Sequence, residues 1–129
     1  MDEAIGERFA RAVAAKDPAS LLDVLAHDVD FRGLTPGRCW EAASAAEVVH
    51  DVVLGAWFDA GDHVDELVDV QTGTVADRGR VAYRLRVTNA SGTFLVEQQA
   101  YFGVDDGRIS WLRVLCSGFR PATAAGPGA

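Results

Sequence analysis

The chain has 129 residues, 49% of them hydrophobic, which suffices for one domain with one apolar core and leaves no room for a second. A formal net charge of -7 and the lack of any Lys/Arg cluster argue against nucleic acid and anionic membranes as partners. Cys39 and Cys116 lie far apart without a CxxC or Cys/His pairing, which argues against a disulfide framework and a zinc site. We also expect no cofactor. The acidic start and the absence of a long apolar run predict a cytoplasmic protein.

One apolar stripe runs along the first segment, from Asp2 to Lys16. It consists of Ile5, Phe9, Ala12 and Val13, which recur at the spacing of one helix face. The pattern predicts an amphipathic helix that covers a core.

A short second helix and a short strand are predicted next. Asp17 suits the N-cap and Pro18 the first helical position. This helix carries Leu21, Leu22 and Leu25 and is expected to end near His27. The alternation at 29–31 predicts a strand, and the turn-rich sequence at 33–37 leads to the segment 38–40.

The third helix has the clearest start in the chain. Ser44 and Glu47 form a capping box, in which Ser44 caps a backbone donor and Glu47 reaches back. Apolar residues follow at 48, 49, 52, 53, 56 and 57, all on one face of an α-helix. The pattern predicts a helix that ends the helical half of the chain before residue 61.

Four β-rich segments follow, at about 64–75, 80–88, 93–104 and 108–117. Short turns at 77–79, 89–92 and 105–107 join them, so we expect an antiparallel meander. The fold class is therefore α+β, with N-terminal helices packed on a curled sheet that encloses a pocket. We expect one domain over residues 1–120 and a flexible tail over 121–129.

Strand parity predicts which side chains face the pocket. A four-residue turn at 89–92 pairs Val87 with Phe94, Leu85 with Val96, Tyr83 with Gln98 and Val81 with Ala100. This face is apolar apart from Tyr83 and Gln98. The opposite face pairs Arg84 with Glu97 and suits solvent or the interface of a homodimer.

The faces of the last strand depend on the turn before it. A bulged three-residue turn at 105–107 directs Leu112, Val114 and Cys116 into the pocket. A two-residue turn directs Trp111, Arg113 and Leu115 there instead. We favour the first arrangement because it keeps Arg113 out of the core.

The candidate ligand-binding residues are the polar groups that could reach this apolar cavity: Tyr83, Gln98, Cys116, Trp40, Trp57, Arg32 and His50. Each has a structural alternative. The Tyr and Gln could be a hydrogen-bonded core pair, the indoles core filling, and the thiol inert. The His could be solvated and the Arg turned outward. No catalytic residue can be assigned.

The order of the elements, with LLDVLAHDVDFRG after the first helix and DDGRISWLRV on the last strand, resembles the nuclear transport factor 2-like superfamily of cone-shaped α+β barrels. Within it, the SnoaL-like group is the nearest match. The resemblance extends from about Ile5 to Phe119. It implies a homodimer in a superfamily of polyketide cyclases, ketosteroid isomerases, epoxide hydrolases, dehydratases and non-enzymatic ligand binders.

The acids and bases of those enzymes are not matched in this chain. Gly33 and its neighbours stand where ketosteroid isomerases place a base Asp. Leu112 and Val114 stand where SnoaL-like cyclases carry a His and an Asp. Epoxide hydrolases of this fold need an Arg and two Asp, but Arg84 and Arg86 fall on the outer face of the predicted sheet and lack inward carboxylates.

Three functions therefore stay open. The first is a binding protein for a small hydrophobic, for example cyclic, molecule in an apolar pocket. The second is a cofactor-independent cyclase, isomerase or dehydratase that uses Tyr83 and Gln98. The third is a dimeric interaction module whose cavity is a filled core.

Overall fold

The structure, a computed structural model, describes residues 2–122, in which helices pack on one face of a single sheet. The helices of this part are α1 (Asp2–Ala15), α2 (Pro18–Val24) and a π-helix (Glu47–Trp57). Its strands are β1 (Leu25–Thr35), β2 (Arg38–Ala42), β3 (His63–Val75), β4 (Arg78–Asn89), β5 (Gly92–Asp105), β6 (Arg108–Cys116) and β7 (Arg120–Pro121). No helix in residues 2–122 is long and apolar enough to cross a membrane.

The sheet runs in the order β2-β1-β6-β5-β4-β3. Strands β3 to β6 form the antiparallel meander that the sequence predicts. Strand β1 pairs with β6 in parallel and with β2 in an antiparallel hairpin, so the sheet is mixed. The predicted class, α+β with helices on a mostly antiparallel sheet, is confirmed.

The second helix is shorter and the first strand longer than predicted. Helix α2 ends at Val24, and Leu25 lies in β1, where it is 1% exposed and pairs with Ile109 of β6. Leu22 faces solvent instead of the core. The prediction was wrong here because pairing with a strand distant in sequence outweighs the local helical pattern.

The third helix starts at the predicted capping box. Ser44 Oγ accepts the Glu47 N–H at 3.2 Å, and Glu47 Oε1 reaches back to the Ala43 N–H at 3.1 Å. From Glu47 onward the helix has π-type i to i+5 hydrogen bonds, and at its end the Phe58 N–H donates to the Val53 carbonyl. This wider winding buries residues 48, 49, 52, 53 and 57 and leaves position 56 exposed, unlike the predicted α-helical stripe.

The pairing of β4 with β5 is the predicted one, with Tyr83 opposite Gln98 and Arg84 opposite Glu97. The faces of β6 are also as predicted, with Leu112 and Val114 buried, but they arise from a different turn. The turn has two residues, at 106–107, both with positive φ. An extra residue in β6, Ser110, then forms a bulge that restores the parity.

Aromatic rings fill much of the space between helices and sheet, with Phe102 and Phe31 in one part and a cluster of Phe58, Phe94 and Phe119 in another. Phe102 is 1% exposed and lies against two glycines, because a Cβ on Gly79 would come within 2.5 Å of its ring and one on Gly6 within 3.0 Å. Phe31 is equally buried on β1, beside Leu112 of β6. Along β5, the inward Gln98 lies between Phe94 and Phe102.

Candidate ligand-binding site

The centre of the inward polar residues is a hydrogen bond between Tyr83 of β4 and Gln98 of β5. The Tyr83 hydroxyl donates to Gln98 Oε1 at 2.6 Å, and both residues are 2% exposed. Burial, and secondarily the neighbouring Cys116, raise the pKa of the Tyr83 phenol well above its ordinary value. The phenol therefore keeps its proton and acts as a hydrogen-bond donor.

The amide of Gln98 is satisfied on one side only. Because Oε1 accepts from the Tyr83 phenol, Nε2 lies on the other side of the planar amide. Nε2 is buried and has no hydrogen-bond partner among the protein atoms of residues 2–122. A buried N–H without an acceptor costs about 1–3 kcal/mol. The amide is thus a donor directed at an acceptor that the described protein atoms do not supply.

Cys116 lies next to Gln98, opposite it in the register of β5 and β6. It is half-buried, and its Sγ accepts the Gly118 N–H at 3.4 Å. Thr35, one residue beyond the paired Leu34 and Leu115, is also half-buried. The row of inward residues therefore runs from solvent at Thr35 and Cys116 to the fully buried pair of Gln98 and Tyr83. We call the solvent end of this row the mouth.

The two predicted indoles lie beside the mouth but differ in their hydrogen bonding. Trp40 donates from Nε1 to Thr35 Oγ1 at 2.8 Å, and the Arg38 guanidinium stacks 3.6 Å over its ring. Trp57 is 7% exposed, and its Nε1 has no partner in the described part of the chain. Its ring lies over Gly33, where a Cβ would approach it to 2.7 Å. Trp57 is thus a wall of the interior, with a second unpaired donor.

Two of the predicted site residues are not brought to this row. Arg32 is exposed, and it pairs in register with Glu41 of β2 and with Arg113 on the outer side of the sheet. His50 is exposed on the solvent side of the π-helix. The prediction that Arg32 and His50 reach the pocket was therefore wrong. Strand parity directs Arg32 to the outer side of the sheet, and the winding of the π-helix directs His50 to solvent.

The segment after β6 follows directly on Cys116, and none of its residues was among the predicted site residues. Ser117 holds β5 in two ways, because its N–H donates to the Glu97 carbonyl at 2.8 Å and its Oγ accepts the Glu97 N–H at 2.9 Å. Gly118 has φ 77°, and a Cβ there would lie 3.0 Å from Pro36. A glycine just after a strand was the available signal. Residues 120–121 then pair with β5, and residues 123–129 of the predicted tail lie outside the described residues.

A groove lies on the outer face of the sheet and extends to the candidate residues. Its volume is about 380 Å³, and its lining includes Asp69, Gln71, Arg80, Arg84, Glu97 and Gln99. The lining also includes Tyr83, Gln98 and Cys116, the residues of the inward row. The groove is polar and mixed in charge, unlike the apolar interior.

The interior is poor in groups for acid–base chemistry. Besides the Tyr83 phenol, the buried polar side chain among residues 4–122 is that of Gln98, and none of the carboxylates or imidazoles in that range is buried. Proton transfer works best with a group whose pKa lies near the working pH. Burial raises the pKa of Tyr83 and so moves it farther from neutral pH. The arrangement can therefore bind and orient a hydrogen-bond acceptor.

Comparison with known proteins gives matches in structure alone. No protein-family model matches the chain, and no curated protein matches it in sequence. A proposed polyketide cyclase from Pseudomonas putida is similar over 88% of this chain and 90% of its own, with 16% identity and a TM-score of 0.69. An LEH-like epoxide hydrolase from M. tuberculosis is similar over 90% of this chain and 82% of its own, with 14% identity and a TM-score of 0.67.

A third similar structure has no assigned function. It is an NTF2-like protein from Mesorhizobium loti, which matches over 91% of each chain with 22% identity and a TM-score of 0.61. At such identities the likeness concerns the fold, since one fold serves many activities. The helices on a mixed sheet and these structural matches together show that the chain has the nuclear transport factor 2-like fold.

Proposed function

We propose that the interior of the cone binds a small, mainly hydrophobic molecule that presents one hydrogen-bond acceptor to Gln98. The observation that carries the proposal is the buried Gln98 Nε2, which has no hydrogen-bond partner in the described part of the protein. An uncharged acceptor such as a ketone, ester or ether oxygen suits a neutral amide donor in apolar surroundings. The unpaired Trp57 Nε1 supports the same conclusion.

Binding is favoured over catalysis by the chemistry of the interior. The polyketide cyclase and epoxide hydrolase among the structural matches indicate that this fold can house such reactions. In this chain the acid or base would have to be Tyr83, whose raised pKa and bond to Gln98 suit a positioning role. Turnover of a retained ligand that is abolished by Tyr83→Phe would instead establish the enzyme.

The experiment is native mass spectrometry of the protein purified from its own host. We expect a retained small molecule in the wild type and in Gln99→Met, an outward neighbour that serves as the matched control. Gln98→Met keeps the side-chain size but removes the donor, and it should weaken retention about tenfold, the effect of one hydrogen bond. Equal retention by the two variants, or no retained molecule, would refute the proposal and leave a filled core.

We also propose that the chain forms a homodimer through the outer face of β3 to β6. That face carries both charges in cross-strand pairs, Arg84 with Glu97 at 3.0 Å and Arg86 with Glu66. A patch of mixed charge can complement its own copy across a two-fold axis. Leu115 adds apolar surface, since it is 47% exposed on the same face. The cytoplasmic location stays a prediction.

A further inference from the structure

We propose that Cys116 is a nucleophile that captures ligands in which a C=C double bond is conjugated to a carbonyl group. This inference rests on the proposed function, because the carbonyl oxygen would occupy the acceptor position at Gln98. It goes further by naming an electrophilic ligand class and a covalent step.

The position of Cys116 along the row carries the inference. Cys116 is the register partner of Gln98, and it is half-buried, whereas Gln98 is 2% exposed. A ligand that hydrogen-bonds to the buried amide would therefore lie beside the thiol. The Gly118 N–H donates to the Cys116 sulfur at 3.4 Å.

The unpaired amide supplies what a thiol addition needs at the other end of the ligand. When sulfur attacks the β-carbon, negative charge develops on the carbonyl oxygen, where the Gln98 N–H groups would stabilise it. The fixed amide costs no reorganisation, because Tyr83 already holds its oxygen.

The step is balanced without any oxidant or cofactor. An S–C bond forms at the β-carbon, and the π electrons of the C=C bond move through the α-carbon to the carbonyl oxygen, giving an enolate. The thiol proton passes through solvent and ends on the α-carbon, which restores the carbonyl. The net change is addition of S–H across the double bond.

Cys39 provides an internal control for ordinary thiol reactivity. It is exposed on β2, and its register partner on β1 is the apolar Leu34. Its sulfur has one weak contact, with the Trp40 carbonyl at 4.0 Å. A reagent that responds only to exposure should therefore label Cys39 before Cys116.

The experiment compares two reagents on the intact protein by mass spectrometry and peptide mapping. The probes are 2-cyclohexen-1-one, a conjugated ketone, and iodoacetamide, which reports exposure. We expect the ratio of Cys116 to Cys39 labelling to be at least about tenfold higher with cyclohexenone, as one aligned donor in a buried site provides. Equal ratios for the two reagents would overturn the inference.

Variants assign the effect to the amide. Gln98→Met should abolish the cyclohexenone preference for Cys116, and Gln99→Met should keep it. Wild-type preference in Gln98→Met overturns the inference. If Gln98→Met misfolds, the wild-type ratio of Cys116 to Cys39 labelling with the two reagents still tests the inference.

Saturated cyclohexanone separates this inference from the proposed function. It carries the acceptor but no reactive double bond, so it should bind, perturb the Gln98 side-chain amide in NMR spectra and slow Cys116 labelling. Amide perturbation without Cys116 labelling by cyclohexenone leaves the proposed function and overturns the inference. If cyclohexanone does not slow the labelling of Cys116 by cyclohexenone, the inference is also overturned. If cyclohexanone does not perturb the Gln98 amide and cyclohexenone does not label Cys116, both the proposed function and the inference are refuted.

Discussion

At the scale of single residues, the hydrogen bond between Tyr83 and Gln98 determines the polarity of the interior. It orients the amide, and through the amide it orients the proposed donor for a ligand. The same atoms also contribute to stability, so the pair can be tested without a ligand.

Tyr83→Phe should destabilise the protein by about 1–3 kcal/mol, because it leaves Gln98 Oε1 buried without a donor. The double variant Tyr83→Phe/Gln98→Met removes both polar groups and should cost less than the sum of the single changes. Urea unfolding of the three variants measures this coupling. Additive costs would show that the bond contributes nothing.

Asp17 predicts a pH dependence at the start of α2. The Ser20 hydroxyl, which donates to its carboxylate at 2.7 Å, lowers the pKa of Asp17 below its ordinary value of 3.8. A lowered folded-state pKa means that the stabilisation is present above pH 3.8 and is lost as the pH falls through the folded-state value. Asp17→Asn keeps a cap but cannot titrate, so its stability difference from wild type should shrink below about pH 4.

Urea midpoints between pH 7 and pH 3 measure that difference. Ser20→Ala is the matched control, because it removes the donor that lowers the pKa and should reduce the pH dependence. A difference between wild type and Asp17→Asn that is constant over the whole range would contradict the argument.

At the scale of elements, the π-helix depends on a glycine in its interior. A Cβ at Gly55 would overlap the carbonyl oxygen of His50, five residues earlier. Gly-to-Ala replacement in an ordinary α-helix stabilises by about 1 kcal/mol. Here we expect Gly55→Ala to destabilise by at least that amount.

Thermal or urea unfolding checks this prediction. Ala56→Gly, at the exposed neighbouring position, should cost about 1 kcal/mol as in any helix. If Gly55→Ala stabilised the protein, residues 50–55 would have to be wound as an α-helix.

The elements also show why a correct face can come from a wrong turn. The sequence DDG at 105–107 is compatible with two turns, and the structure has the two-residue one. The Ser110 bulge compensates, so Leu112 and Val114 still face inward. Burial of large apolar side chains controls the register where turn chemistry is ambiguous.

At the scale of the whole molecule, the outer sheet face predicts self-association. Arg84→Glu places a carboxylate beside Glu97 and removes the opposite charge that a second copy would meet. We expect a dimeric wild type and a variant whose self-association is at least about tenfold weaker. Light scattering after size exclusion, over a range of concentrations, measures both.

Arg8→Glu is the control for net charge. Arg8 lies exposed on α1, away from the sheet face, in an ion pair with Asp23 at 3.0 Å. The Arg8→Glu variant should leave the dimer intact. A monomeric wild type at every concentration, or equal loss in both variants, would refute the proposed interface.

What the sequence alone determined is local. The stripe of α1, the capping box at Ser44 and the pairing of β4 with β5 follow from periodicity and short turns, because neighbours along the chain carry that information. The inward positions of Tyr83 and Gln98 follow from the same parity.

Only the tertiary structure decided the rest. The parallel pairing of β1 with β6 joins distant segments, and it extends β1, turns Arg32 outward and pairs Leu34 with Leu115. A local sequence pattern does not show that solvent exposure falls from Cys116 to Gln98. It also does not show that Gln98 Nε2 lacks a hydrogen-bond partner in the described part of the protein. Both depend on long-range packing, in which each side chain's surroundings come from elements far away in the chain.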